Sequence, residues 1–181
     1  MKKKLNRTKT INSLLALVII IVFSACGGGD DDDTNVVIDP AIVLALLDSD
    51  NVGDASDLKI SFNVPADQSQ VEEYRVFIVK SAQAANFDLE QAEQLVSGNY
   101  HAITAPQSNG YRANLPSNLL DIEGGEIVEG ETYVMFVLSV ASEASGSSSG
   151  LSVASNSTTL ENVEVVTTIV ERLTSATGGV A

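Results

Sequence analysis

The 181-residue sequence has no tryptophan, one cysteine, one histidine, and only ten basic residues against 24 acidic ones. Each shortage removes a class of function. With Cys26 as the sole thiol, no intrachain disulfide framework can form. His101 alone cannot build a zinc centre, which draws on several His, Cys or carboxylate ligands. So few Lys and Arg exclude nucleic acid as a partner, because phosphates are bound by clustered cations. The absent tryptophan leaves little for a sugar-stacking platform. No internal repeat is visible, which argues against a solenoid. The apolar run from Leu14 to Phe23 covers roughly 15 Å as a helix, about half of a ~30 Å hydrocarbon layer, so no permanent span is expected there.

What stands around that run is more informative. Lys2, Lys3, Lys4, Arg7 and Lys9 precede it with no acid among them, and Phe23-Ser24-Ala25-Cys26 closes it. A positive head and a short apolar core make an export signal. The small residues before the cysteine resemble the lipobox of bacterial lipoproteins. That resemblance implies removal of residues 1–25 and lipid attached to Cys26. Acylation would also give the lone cysteine a use, since an exposed unpaired thiol is prone to oxidation. Two or three acyl chains anchor stably, each buried CH₂ contributing about 0.8 kcal/mol.

Residues 26–38 read as a tether. Gly27-Gly28-Gly29 and Asp30-Asp31-Asp32-Asp33 have no apolar surface to bury. The acidic run also resembles the surface-export signal by which some Gram-negative groups place lipoproteins on the outer leaflet of the outer membrane. Five of the ten basic residues lie before Cys26, so the processed chain keeps five against 24 acidic residues, a net charge of −19. Adhesion to anionic lipid is therefore disfavoured, and the acyl chains are the expected membrane contact.

Residues 39–160 are expected to form one all-β domain. Leu58, Ile60, Phe62 and Val64 alternate with polar residues up to Pro65, the pattern of a half-buried strand. Tyr74–Lys80, Gly110–Leu115 after the Asn109-Gly110 turn signal, and Thr132–Ala141 read as further strands. Ile42–Leu47 is expected to be the first strand, although its unbroken apolar run also fits a buried helical turn, and Leu151–Leu160 is expected to be an edge strand. Short strands between turn signals argue for an antiparallel sandwich. The stretch Phe87–Val96, rich in helix formers, is expected to be an inserted amphipathic helix with Ala85, Leu89, Ala92 and Val96 on one face. Residues 161–181 could add a strand near Val163, Val165 and Val166 or form a tail.

The order Leu58-x-Ile60-x-Phe62, Tyr74-x-Val76, Leu115 and Tyr133-x-Met135-x-Val137 resembles a fibronectin type III domain, an immunoglobulin-like sandwich. The resemblance implies that the second and fourth of these segments are neighbours in one sheet. It also implies a corner in which Tyr133 ties the start of its strand to the upstream backbone. If Tyr74, Val76 and Ile78 point inward, Phe77 and Val79 point outward, as do Val134, Phe136 and Leu138. Such a two-faced apolar pair needs cover, and the Phe87–Val96 helix is the nearest candidate, with the tail near Val163–Val170 as the alternative.

Candidate sites are few. Asp48, Asp50, Asp54 and Asp57 are spaced along a turn as a calcium loop requires, although Lys59 stands where an EF-hand needs a bidentate Glu. An Asp/Asn/Gly turn between strands is the competing reading. Asp121, Glu123, Glu126, Glu129 and Glu131 read as a solvated loop. Gly146-Ser147-Ser148-Ser149-Gly150 matches G-x-S-x-G formally, but His101 precedes it and the flanking strand and helix are absent, so a flexible Ser/Gly loop is expected. No cofactor is implied beyond calcium at the first of these. The sequence thus predicts a lipid-anchored, non-catalytic envelope protein that binds another protein or serves as a structural module. A calcium-dependent binding or enzyme-accessory lipoprotein is the alternative.

Overall fold

The computed structural model describes residues 36–161. The expected export signal, the lipidation candidate Cys26, most of the expected tether and residues 162–181 lie outside the described residues. Eight strands are present among the described residues: β1 (Ile42–Asp48), β2 (Leu58–Asn63), β3 (Val71–Lys80), β4 (His101–Thr104), β5 (Tyr111–Asn114), β6 (Thr132–Ala141), β7 (Gly150–Leu151) and β8 (Thr158–Thr159). They form two antiparallel sheets, ordered β1-β2-β5 and β4-β3-β6-β7, with β8 also pairing β6. The domain is an all-β sandwich. No described helix is long and apolar enough to cross a membrane.

Period-two alternation builds the core between the sheets. Leu46, Leu58, Ile60 and Phe62 from one sheet meet Tyr74, Val76, Ile78, Tyr133, Met135 and Val137 from the other. Phe62 lies 5.7 Å from the Tyr74 ring and 5.7 Å from that of Tyr111. β3 and β6 run side by side over nearly their whole length, from Glu73↔Val140 to Lys80↔Tyr133. The Val128 amide donates to Tyr133 Oη at 3.0 Å, tying the start of β6 to the backbone five residues upstream.

The opposite face of β3 and β6 carries a second apolar cluster of Phe77, Val79, Val134, Phe136 and Leu138, as the alternation requires. The segment after β3 covers it. Ser81–Asn86 forms a 3-10 helix and Leu89–Gln94 a short α-helix, α1, capped by Asp88, whose carboxylate accepts from Gln91 N–H at 3.0 Å. Phe87 precedes the cap and packs 5.3 Å from Phe77 and 5.1 Å from Phe136. Phe87 and Ala92, at the N′ and N4 positions, are both buried in this cluster, the arrangement of a hydrophobic staple. Burying Phe87 contributes about 1.5–3 kcal/mol by area. The helix is six residues rather than the expected ten. Ala85 and Val96 are exposed, and Ala84 and Leu95 take the inward positions instead.

Two boundaries also differ from expectation. Ile38, placed by composition in the tether, is buried in the main core, with its N–H donating to the Ser148 carbonyl at 3.0 Å. Leu151–Leu160 is not one strand, since only β7 and β8 keep regular pairing. Between them Ser152 and Ser155, three residues apart, face Val137 and Met135, two residues apart. That mismatch breaks the ladder, and serine hydroxyls replace it. Val137 N–H donates to Ser152 Oγ at 2.9 Å and Met135 N–H to Ser155 Oγ at 2.8 Å, while the Ser152 and Ser155 amides return bonds to the same two residues at 2.9 Å.

Candidate functional site

The calcium-loop residues lie between β1 and β2, and their carboxylates fold the loop onto itself. Asp54 caps the 3-10 turn Ala55–Asp57, accepting from Ser56 Oγ at 2.6 Å and Ser56 N–H at 2.8 Å. Those two bonds hold its pKa below the usual carboxylate value. Asp57 is fully buried, and its Oδ2 accepts from the amides of Val52 and Gly53 at 2.8 and 2.6 Å. Gly53 makes that approach in the left-handed region, at φ +86°. Asp48 Oδ2 accepts from Glu161 N–H at 3.0 Å, and Asp50 is exposed. The structure brings no three of Asp48, Asp50, Asp54 and Asp57 together as a metal-holding group; among the described residues no such group occurs. Linear spacing suggested ligands, but turn capping takes two of the carboxylates.

The second acidic stretch differs from the expected solvated loop at its first member. Asp121 is fully buried, its Oδ1 accepting from the amides of Glu123 and Gly125 at 2.9 and 2.8 Å. Lys80 Nζ stands 3.3 Å from Asp121 Oδ2 and 3.7 Å from Glu123. Asp121 in turn raises the Lys80 pKa. This carboxylate organises a turn and neutralises a cation.

Gly146–Gly150 is likewise a packed edge rather than a loose loop. Ser149 Oγ accepts from Ala141 N–H at 3.2 Å, Ser147 Oγ donates to Gln70 Oε1 at 2.6 Å, and Ser148 N–H bonds the Val36 carbonyl at 2.9 Å. A Cβ on Gly150 would collide with the Ile38 carbonyl, so glycine here reflects close backbone approach. His101 is on β4, with Nε2 3.4 Å from Tyr111 Oη. It is the base that a nucleophile elbow would need, and its ring is engaged by Tyr111.

The surface with features of an interaction site is the outer face of β1-β2-β5, which sequence reasoning did not single out. The apolar run Ile42–Leu47 is the expected first strand and not a buried helical turn, and Ile42, Leu44 and Leu47 on it are 64%, 45% and 51% exposed. The register sets Leu47 beside Lys59 and Asn114, and Ala45 beside Ser61 and Arg112. An apolar column therefore borders two exposed cations. Of the four basic residues in the described range, Arg75 pairs with Glu73 at 2.6 Å and Lys80 with Asp121, whereas Lys59 and Arg112 form no ion pair among the described residues. The readable signal was the unbroken apolar run; the single sheet neighbour of β1 emerges only in the fold.

Compared with protein-family models, curated proteins and solved structures, the chain finds no match.

Proposed function

We propose that this chain is the precursor of a lipid-anchored envelope protein, with acyl chains on Cys26 and an Asp-rich tether leading to a non-catalytic module that binds another protein. Membrane attachment follows from the lipobox resemblance, and the acidic run favours display on the outer membrane surface. The module is read as fibronectin type III-like, supported by the adjacency of β3 and β6 and by the Tyr133–Val128 corner. The observation that carries the binding role is the exposed column Ile42, Leu44 and Leu47 beside Lys59 and Arg112 on an otherwise acidic molecule. Charge complementarity selects a protein partner with an acidic rim around apolar groups, because such a rim steers encounter while the apolar contacts supply affinity.

Two experiments test this reading. A fatty-acid probe should label the wild type and not Cys26→Ser; equal labelling would remove the anchor. Protease treatment of intact cells then reports surface placement. A photo-crosslinking residue at position 47 should give a discrete protein adduct in cells, and one at position 90, on the opposite sheet's cover, should not. Loss of the position-47 adduct in Lys59→Glu/Arg112→Glu supports an acidic partner, whereas an unchanged adduct argues against it.

A further inference from the structure

The geometry points to a binding cleft for a small neutral saccharide between the insertion after β3 and the turn at Ile122. This goes beyond the protein-binding role and does not depend on it. The cleft has a volume of about 540 Å³, within the roughly 300–1,000 Å³ usual for small-ligand sites. Its wall carries four carboxamides, Gln83, Asn86, Gln91 and Gln94, and its apolar floor is made by Phe87, Leu95 and Ile122. Three of the six glutamines of the chain, Gln83, Gln91 and Gln94, line it.

The chemistry of the wall selects the ligand class. A carboxamide presents an acceptor oxygen and a donor NH₂ side by side and carries no charge. Adjacent ring hydroxyls, each both donor and acceptor, complement that pair. The apolar floor suits the C–H face of a sugar ring, so hydrogen bonding replaces the tryptophan platform that the sequence lacks. Gln83 lines the cleft, and its Oε1 is buried without a hydrogen-bond partner, so turning the carboxamide towards the cleft would let a ligand hydroxyl pair an acceptor that the free protein leaves unsatisfied. Anions are disfavoured. Glu123 lines the rim, and the nearby Lys80 ammonium is already held by Asp121 and Glu123. The carboxamides come from the 3-10 helix and α1 rather than from a sheet edge, so the cleft offers no strand for an extended peptide to pair with.

The test uses the full chain as produced in its host membrane or soluble fraction, in a detergent without a sugar headgroup, probed with an array of neutral oligosaccharides, acidic glycans and neutral tripeptides. At least one neutral glycan should bind, at least tenfold tighter than its uronic-acid counterpart. Gln83→Leu should weaken that binding tenfold or more. Gln91→Ala, at an exposed position, should weaken it severalfold without shifting the melting temperature. Absence of neutral-glycan binding at millimolar concentration would overturn the proposal, as would binding that both variants retain or a tripeptide that competes for the cleft.

Discussion

Val137 and Ser152 exchange two hydrogen bonds, the Ser152 amide donating to the Val137 carbonyl and the Val137 amide donating to Ser152 Oγ, each at 2.9 Å. The serine side chain thus occupies the place of a main-chain acceptor on the edge of β6. Because the site is buried, Ser152→Ala would leave the Val137 N–H without a partner, at a cost of about 1–3 kcal/mol. Ser155→Ala removes the equivalent bond to Met135, but Ser155 is less buried and water can replace the hydroxyl. Chemical denaturation should therefore rank Ser152→Ala well below Ser155→Ala in stability. Equal effects would show that the hydroxyls are not substituting for the ladder.

Phe87 anchors the cover over the outer face of β3 and β6, touching both Phe77 and Phe136. Phe87→Ala should cost about 3–5 kcal/mol, as truncation of a large buried ring does. Leu89 is only half-buried, so Leu89→Asp should cost less than Phe87→Ala, and Glu90→Ala should be neutral. Thermal unfolding of the three variants orders them. A Phe87→Ala protein that melts with the wild type would mean the insertion does not seal this face.

Alternation made β2 and β6 legible, since Leu58-x-Ile60-x-Phe62 and the two-sided apolar run of β6 state which faces are covered. β4 carried no such signal. Of its four residues only Ile103 is buried, and pairing with Glu73–Val76 rather than its own composition makes it a strand. The serine ladder was illegible for a different reason: a hydroxyl that accepts from a strand amide has no periodicity. Asp121 looked solvated because the groups that accommodate it, Lys80 and the amides of Glu123 and Gly125, are assembled only by folding. The outer-face column was half legible. Ile42–Leu47 was plainly apolar, but whether such a run faces a core or a partner depends on what lies on either side of β1. The cleft's glutamines read as helix formers, and their convergence depends on a turn that the sequence does not mark.

The close passage of the N-terminal segment over Gly150 yields another test. Gly150→Ala forces a Cβ into the Ile38 carbonyl, where only backbone can give way. The Ile38–Ser148 bond and the burial of Ile38 should both suffer, with a cost of about 1–3 kcal/mol typical of overpacking. Gly98→Ala adds a Cβ in open space, but at φ +108°, so it isolates backbone strain from the collision. Limited proteolysis should cut near Ile38 faster in Gly150→Ala than in Gly98→Ala. Identical cutting would place the N-terminal segment off the sandwich in solution.

His101 and Tyr111 belong to β4 and β5, the edge strands of different sheets, and their contact joins the two sheets along one side. Burial lowers the His101 pKa below its ordinary value near 6.5. The neutral ring is therefore the form that the fold favours. As pH falls through 6.5, the unfolded chain takes up the proton before the native one, and protonation pulls the equilibrium towards unfolding. The stabilising contribution is complete above that value and is lost as pH drops through the depressed native pKa. Asp54 and Asp67, whose carboxylates are held ionised by hydrogen bonds, weaken the fold in the same direction at lower pH. A comparison with His101→Gln separates the two, because the carboxylates act equally in both proteins. Between pH 7.5 and pH 5.5 the melting temperature should fall further for the wild type than for His101→Gln. Parallel curves would show that His101 titrates as freely in the folded protein as in the unfolded chain.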